Sequence, residues 1–291
     1  MIKRFEIKNA AEKYFITVAR FAGMAILIII FAFLISFPAE ASFEMSPVSA
    51  QLLGRGGWSV ADDRLSSLDN SAVTSEVFNW EAGRANYYGI SELNGGFLSL
   101  QIPAKTNSFN FIYSTLKFSS VYQESVYSFA LAKNLAKNLT KNLNAGLRLN
   151  TYRIDIAEFE EGLNTSTMYS NYDFALLREG QYFNFGVSFK QLASKDVTLK
   201  SIPERNSQEI CYGIMVKPVK GAKLGLDYEF GKPLAAGVEV EVADALKCAI
   251  GIRKNMFTLG FSLRMPGCRL HFSTLLHSEM GETYFISISG K

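Results

Sequence analysis

Residues 222–230 read Ala-Lys-Leu-Gly-Leu-Asp-Tyr-Glu-Phe, and residues 236–243 read Ala-Gly-Val-Glu-Val-Glu-Val-Ala. Large apolar residues alternate with glycine or charged residues in both stretches. Residues 257–263 repeat the pattern as Phe-Thr-Leu-Gly-Phe-Ser-Leu. A period of two places the apolar set on one face of a β-strand and the polar set on the other. These stretches therefore predict strands with one apolar and one polar face.

The alternation extends over most of the chain and predicts fourteen strands. They lie near residues 83–90, 96–102, 109–117, 123–132, 143–153, 168–178, 181–192, 208–217, 222–230, 236–243, 246–253, 256–264, 268–276 and 282–289. An even number of such strands is typical of single-chain bacterial outer-membrane barrels, whose apolar face meets lipid while the polar face lines the lumen. The length of the strands and their hairpin-like connections favour this fold over a soluble β-sandwich. We predict an all-β, fourteen-stranded antiparallel transmembrane β-barrel.

The first 41 residues have the features of an export signal. Basic residues precede an unbroken run of apolar and small residues from Phe21 to Phe37, and Pro-Ala-Glu-Ala-Ser follows at 38–42. The two alanines occupy the positions that a signal peptidase reads. The alternative is an uncleaved anchor, for which the apolar run is short. We predict cleavage after Ala41 and delivery to the bacterial outer membrane, with barrel-insertion machinery and outer-membrane lipid as partners.

The positive charge of the chain belongs mostly to this leader. Five of the 30 Lys and Arg residues and three of the 27 Asp and Glu residues lie in residues 1–41, which leaves 25 against 24. A nearly neutral mature chain lacks the basic surface that nucleic-acid binding requires. The three cysteines, Cys211, Cys248 and Cys268, have no metal-ligand spacing and form no complete disulfide framework. We predict no nucleic acid, no cofactor and no metal site.

No catalytic constellation can be assembled from the sequence. His271 and His277 are the only histidines. The first falls on the predicted lumen face, and the second begins a loop. A hydrolase of the outer membrane needs a Ser-His or carboxylate site, so we predict that the chain is not an enzyme.

Residues 42–82 differ from the rest, because they are rich in Ser, Gly, Asp and Asn and lack a sustained period of two. We therefore divide the chain into a signal peptide (1–41), a non-barrel N-terminal segment (42–82) and a barrel (83–291).

Two stretches resemble one family of outer-membrane proteins. The first reads Leu-Gly-Arg-Gly-Gly-Trp-Ser-Val-Ala-Asp-Asp at 53–63, followed by Asn-Ser-Ala at 70–72. The second is the closing meander, residues 236–289, including the connection Leu275 to Thr283. Both are similar to the PorV/PorQ-like barrels, relatives of the long-chain fatty-acid transporters (FadL-like barrels). The resemblance implies a fourteen-stranded barrel with the N-terminal segment, 42–82, plugging the lumen.

Glycine permits positive φ and close backbone approach, and a segment folded into a barrel needs both. The candidate ligand-binding or gating residues of the plug are Gly54, Arg55, Gly56, Gly57, Trp58, Asp62, Asp63 and Asn70. The predicted lumen-lining residues are Arg148, Asp227, Glu229, Glu239, Glu241, Arg253, Arg264 and His271. We expect the charges of the plug to pair with charges of the lumen, since buried charges demand partners. The sequence leaves open whether the plug is static or is a gate that a ligand displaces.

The sequence also leaves the function open. One hypothesis is transport of a hydrophobic, fatty-acid-like small molecule through a plug-gated lumen, with an apolar pocket near the plug. Trp58, Phe78 and Trp80 are candidates to line such a pocket, but the interpretation that we favour is that they are packing residues. The alternative, taken from the resemblance, is a non-transporting barrel component of a type IX-like secretion system, with secretion-system proteins as partners. The loops 154–167 and 193–207 are then the docking surfaces. A closed barrel without transport is the third hypothesis.

Overall fold

The computed structural model describes residues 49–62, 70–136, 142–157, 164–193, 197–199, 202–204, 208–230 and 232–291. The predicted signal peptide and the candidate residue Asp63 lie outside these ranges. Within them, no helix has the length and apolar character needed to cross a membrane.

The described residues form one short helix and sixteen strands. The helix is α1 (Ala50–Gly54), and the strands are β1 (Asn79–Asn86), β2 (Leu93–Ala104), β3 (Asn107–Phe118), β4 (Tyr122–Asn134), β5 (Asn142–Ala157), β6 (Asn164–Glu179), β7 (Phe183–Leu192), β8 (Val197–Leu199), β9 (Ile202–Glu204), β10 (Glu209–Val216), β11 (Ala222–Glu229), β12 (Ala235–Ala243), β13 (Leu246–Arg253), β14 (Met256–Met265), β15 (Cys268–His277) and β16 (Gly281–Gly290).

Fourteen of these strands form one closed antiparallel barrel. Each pairs with its neighbour in chain order, β7 pairs with β10, and β1 closes the barrel against β16. The closing register places Trp80 opposite Gly290 and Asn86 opposite Tyr284. The strands β8 and β9 form a separate two-stranded sheet within the predicted loop 193–207. Closure removes the unpaired sheet edges that an open sheet would expose. The predicted fourteen-stranded barrel is confirmed.

The first strand begins earlier than the sequence pattern predicts, at Asn79 rather than at residue 83. It ends at Asn86 because a turn follows, in which the amide of Ile90 donates to the carbonyl of Tyr87 over 2.9 Å. Tyr88 and Gly89 have φ of 56° and 69° in this turn. Extended backbone cannot continue through positive φ. The turn therefore ends the strand at Asn86, whereas the sequence pattern predicts an end at residue 90.

The two faces of the sheet separate as the alternation predicts. Phe257 and Leu259 are 40% and 45% exposed on the outer face, while Thr258 between them is fully buried inside. Polar side chains, among them Asn150 and Ser188, make up much of the buried interior. An apolar exterior around a polar interior is the arrangement of a barrel that spans lipid.

The interior holds the N-terminal segment. We use "plug" for residues 49–62 and 70–78, "lower end" for the end of the barrel where β1 begins and β16 ends, and "upper end" for the opposite one. The helix α1 packs against β13 to β16, and every residue of α1 is buried.

Candidate functional site

Glycines on the inner face of the barrel receive the backbone of the plug. Gly237 pairs with both Gly225 and Gly251, so the three are neighbours across β11, β12 and β13. A Cβ atom at Gly237 would overlap the carbonyl of Arg55, and one at Gly251 would overlap the amide nitrogen of Gly56. Only a residue without a side chain permits such an approach. We call Gly225, Gly237 and Gly251 the glycine track.

Further wall glycines continue the same relationship outside the track. A Cβ at Gly186 would overlap the carbonyl of Val60, and one at Gly146 would overlap the carbonyl of Ser71. Sequence analysis missed all of these wall residues as parts of the site. The available signal was glycine inside a strand, which often marks close approach of another backbone.

The glycine pair of the plug ends α1. The amide of Gly57 donates to the carbonyl of Leu52, and the amide of Gly56 donates to that of Leu53, both over 2.9 Å. This pattern is a Schellman motif, which needs a left-handed residue just after the helix. Gly56 and Gly57 have φ of 86° and 73°. The turn directs the chain from the helix onto the glycine track.

A buried ion cluster links the plug to the wall. The Nη2 of Arg55 pairs with Oδ2 of Asp62, and its Nη1 lies 3.8 Å from Oε2 of Glu239. The wall lysines add two contacts: Lys223 Nζ lies 3.3 Å from Oδ1 of Asp62, and Lys247 Nζ lies 3.4 Å from Oε1 of Glu239. Three cations and two carboxylates therefore alternate in the lumen. Buried charges persist in such an interior only when each has opposite partners.

The cluster brings together some of the predicted residues and adds two that sequence analysis omitted. Arg55, Asp62 and Glu239 were candidates, whereas Lys223 and Lys247 were not. Both lysines occupy inner-face positions of the period-two pattern, which was the signal that pointed to them. The guanidinium carbon of Arg55 also lies 4.0 Å from the centre of the Trp58 ring, a cation–π contact.

Asp227 and Asn70 hold the chain beyond the cluster. The Oδ2 of Asp227 accepts hydrogen bonds from the amides of Ser59 and Val60, the latter over 2.8 Å. Asn70 donates through Nδ2 to the carbonyl of Val60 and accepts through Oδ1 from the amide of Ala72, over 2.8 Å. A carboxylate that accepts two backbone amides is a charge-assisted anchor. These two side chains therefore position the segment after Trp58.

The start of the plug is held by another buried carboxylate. Glu81 on β1 is 1% exposed. Its Oε1 accepts hydrogen bonds from the hydroxyl groups of Ser49, over 2.7 Å, and Ser287, over 2.6 Å. Sequence analysis did not single out this residue.

Two of the remaining predicted lumen residues make their contacts outside the ion cluster. Arg148 Nη1 lies 3.7 Å from Oδ2 of Asp173 on the neighbouring strand. His271 is fully buried between the hydroxyl oxygens of Ser262 and Ser289, at 2.7 and 2.8 Å.

Glu229 and Glu241 lie near the ends of the barrel, and Arg253 lies beside the glycine turn that ends α1. Glu229 lies 4.0 Å from Lys190, and Glu241 pairs with Lys247 and Arg264 at 3.6 and 4.0 Å. The side chain of Arg253 faces Gly57 of the plug. All eight predicted lumen residues thus face inward, but only some of them contact the plug.

An apolar cluster lies at the upper end of the lumen. Ala50 and Leu53 of α1 pack with Tyr87, Leu116 and Phe285 of the wall. The rings of Tyr87 and Phe285 meet edge to face with centroids 5.6 Å apart. Burial raises the pKa of the Tyr87 hydroxyl above its ordinary value of 10. The upper face of the plug is therefore apolar.

The aromatic residues named as contributors to an apolar pocket lie elsewhere. Trp58 is fully buried beside Ala61 and Met215. Phe78 is 44% exposed, and Trp80 lines a cavity at the lower end. Among the described residues, no three His, Cys, Asp or Glu side chains converge as metal ligands.

Known structures share this fold. The CymD monoaromatic hydrocarbon channel matches with a TM-score of 0.61 and 9% identity over 86% of this chain and 99% of that one. A FadL homologue from Pseudomonas aeruginosa matches with a TM-score of 0.54 and 9% identity, over 88% and 99% of the two chains. A TodX monoaromatic hydrocarbon channel mutant matches with a TM-score of 0.56 and 8% identity, over 85% and 98%.

At 8–9% sequence identity, these structural matches show a shared fold alone. No protein-family model and no curated protein matches the chain. The predicted likeness to FadL-like barrels is therefore confirmed for the fold, and the PorV/PorQ assignment stays a prediction.

Proposed function

We propose that the chain is an outer-membrane channel for a hydrophobic small molecule, gated by the plug. The observation that carries this proposal is that the plug fills the lumen. Close backbone contacts at wall glycines and buried ion pairs hold it against the wall. Two barrels with the same fold are named as monoaromatic hydrocarbon channels. That naming supports a hydrophobic substrate class for this chain.

The substrate enters at the upper end in this proposal. The partly buried apolar side chains of Tyr88, Leu93 and Leu275, which pack against the apolar cluster, give a hydrophobic molecule a favourable first contact. Short turns such as residues 244–245 and 266–267 lie at the lower end, and the long connection 193–208 lies at the upper end. Long extracellular loops and short periplasmic turns are typical of these barrels. The upper end therefore faces outside, and the lower end faces the periplasm.

Passage requires the plug to move, because Leu53 and Trp58 fill the lumen and are at most 1% exposed. Charged contacts suit such motion. A buried ion pair contributes little net stability, since the cost of removing its charges from water offsets their attraction. Outer-membrane lipid surrounds the barrel in this proposal, and the barrel-insertion machinery delivers it there.

Uptake by cells tests the proposal. A bacterial host without its own FadL-type channel would express the chain, and uptake of radiolabelled toluene and oleate would be measured. We expect uptake above that of the empty host. Uptake equal to the empty host, from a barrel shown to be folded in the outer membrane, would overturn the transport proposal.

A crosslink tests the gate separately. The hydroxyl groups of Ser49 and Ser287 both donate to one oxygen of Glu81, so the two side chains lie close together. Ser49→Cys with Ser287→Cys, in a chain with its three native cysteines replaced by alanine, would be joined by dibromobimane. We expect uptake to fall to the level of the empty host. Each single-cysteine variant, treated in the same way, is the control. Unchanged uptake after complete crosslinking would show that the plug does not gate passage.

A further inference from the structure

The outer face of the barrel changes character at β1. One row of residues crosses the strands through Phe261, Phe272 and Ile286, each directly opposite the next. Phe261 and Ile286 are 45% and 50% exposed, as apolar side chains that meet lipid are. The next residue in this row is Arg84, which lies opposite Ile286. A cation therefore takes a place at the edge of the apolar outer surface.

The side chain of Arg84 points away from the lumen. Successive residues of a strand face opposite sides of the sheet. Ala85 is fully buried in the apolar cluster of the interior, whereas Arg84 is exposed. A charged side chain on the lipid face of a barrel is unfavourable at the depth of the acyl chains. An anionic partner from the membrane would offset that cost.

Lys117 on β3 is a second cation of the same surface. It is exposed and alternates with the buried residue Leu116. On the intervening strand, Gly96 lies opposite Arg84 and Asn94 lies opposite Lys117. Lys117 is therefore two strand spacings from Arg84, about 10 Å across the sheet, and nearer the upper end. Two long cationic side chains at this separation can reach one anionic headgroup.

Both charges are available to an external ligand. Within the part of the chain that the structure describes, neither the Arg84 nor the Lys117 side chain forms an ion pair or a hydrogen bond. The carboxylates at this end of the barrel lie elsewhere. Glu282 on β16 accepts a hydrogen bond from the hydroxyl of Tyr284, and Glu92 lies in the turn between β1 and β2. The surface around the two cations is therefore electropositive.

The surface below the cations is apolar. Ile102 on β2 and Phe109 on β3 lie opposite each other nearer the lower end, and they are 49% and 51% exposed. Beside the cations the outer residues are polar, as Asn94 and Thr115 show. A surface with cations above and apolar side chains below matches a lipid with an anionic headgroup above its acyl chains.

We propose that this surface binds lipopolysaccharide, the phosphorylated glycolipid of the outer leaflet of bacterial outer membranes. Arg84 and Lys117 hold the phosphates of its lipid A part, and the acyl chains lie along Ile102 and Phe109. The proposal rests on the orientation given under the proposed function, in which the upper end faces outside. It goes beyond that function, because it requires neither transport nor movement of the plug.

Native mass spectrometry of the barrel tests the site. The chain would be expressed in a Gram-negative host whose lipopolysaccharide is shortened to lipid A with its inner sugars, and then extracted in mild detergent. We expect a bound lipid A species on the unaltered barrel. Arg84→Gln with Lys117→Gln should reduce the bound fraction by at least about tenfold, which corresponds to roughly 1.4 kcal/mol. Retained heat-modifiable migration of the variant on gels shows that the barrel is folded.

A matched pair of cations lies at the lower end. Lys133 on β4 and Arg178 on β6 are exposed on the outer face, and β5 separates them. Lys133 lies opposite Ala145 and Arg178 lies opposite Leu143, so the two cations have the same two-residue offset as Arg84 and Lys117. Lys133→Gln with Arg178→Gln should leave bound lipid A unchanged, because this end faces the inner leaflet. An equal loss in both double variants would contradict a specific site at the upper end.

A measurement on the unaltered barrel needs no variant. Lipid-free barrel would be mixed with diphosphorylated lipid A and, separately, with lipid A from which both phosphates have been removed. We expect the diphosphorylated form to bind at least about tenfold more tightly, and added salt to narrow the difference, since screening weakens attraction between charges. Equal binding of the two forms, or full binding by the Arg84→Gln with Lys117→Gln variant, would overturn the proposal. Neither measurement involves uptake, so failure here is distinct from failure of the transport proposal.

Discussion

The indole ring of Trp58 occupies the space that a side chain at position 225 would fill. Gly225 is thus a recess in the wall, shaped for one residue of the plug. Arg55 stacks on the same indole and enters the ion cluster with Asp62. The glycine track therefore determines where the charges of the plug lie.

Gly251→Ala should unseat the plug, because the added Cβ would overlap Gly56. We expect larger conductance in planar bilayers than the unaltered barrel shows. Gly96→Ala is the matched control, since its Cβ would lie 3.6 Å from the nearest atom, an ordinary contact. Equal conductance of the two variants would argue against the track as the seat of the plug.

Arg55→Ala should loosen the plug strongly. Removing one partner of a buried pair leaves the opposite charges unpaired, at a cost of about 3–5 kcal/mol. Faster hydrogen exchange of the backbone amides of residues 49–62 would report this loosening of the plug. Arg55→Ala with Asp62→Asn should recover part of the protection, because the stranded charge is removed.

Arg153→Ala provides the comparison for that experiment. Its ion pair with Asp155 is exposed, and exposed pairs contribute at most about 1 kcal/mol. If Arg55→Ala had an equally small effect, the ion cluster would not hold the plug.

The two turn glycines should differ in their tolerance of alanine. Both have positive φ, which costs an L-residue about 1–2 kcal/mol. A Cβ at Gly56 would also overlap the carbonyl of Ala236, whereas one at Gly57 would lie 3.0 Å from the flexible side chain of Arg253. Gly56→Ala should therefore accelerate hydrogen exchange in α1 more than Gly57→Ala does. Faster exchange in Gly57→Ala than in Gly56→Ala would contradict the observed contact between Gly56 and the barrel wall.

Lys232, in the turn after β11, predicts a pH dependence. Burial lowers its pKa, but hydrogen bonds to Glu209 and Glu229 outweigh burial and raise the pKa above the ordinary value of 10.5. A raised pKa means that the stabilisation is present below pH 10.5 and is lost as the pH rises through the folded-state value. The difference in Tm between the unaltered chain and Lys232→Gln should therefore shrink at high pH. A difference that grows there would contradict this assignment.

Mass spectrometry of the exported protein tests the predicted signal peptide. We expect a mature chain that begins at Ser42, because Ala39 and Ala41 suit a signal peptidase. Ala41→Arg should block processing, whereas Ala10→Ser, far from the cleavage site, should not. A mature protein that still contains residues 21–37 would indicate an anchor.

The period of two was sufficient to predict the barrel, because lipid outside and a polar lumen inside impose opposite chemistry on successive residues of every strand. It also placed Asp227, Glu239 and His271 on the inner face. The same pattern says nothing about the seat of the plug, since a glycine in a strand has the same sequence signal whether or not another backbone touches it.

The sequence by itself determined the strand count, the two faces of the sheet and the inward direction of the lumen charges, because these follow from local alternation. Only the tertiary structure decided which charges meet. Arg55 and Glu239 are far apart in the chain, and they lie 3.8 Å apart because the Schellman turn and the glycine track bring them together.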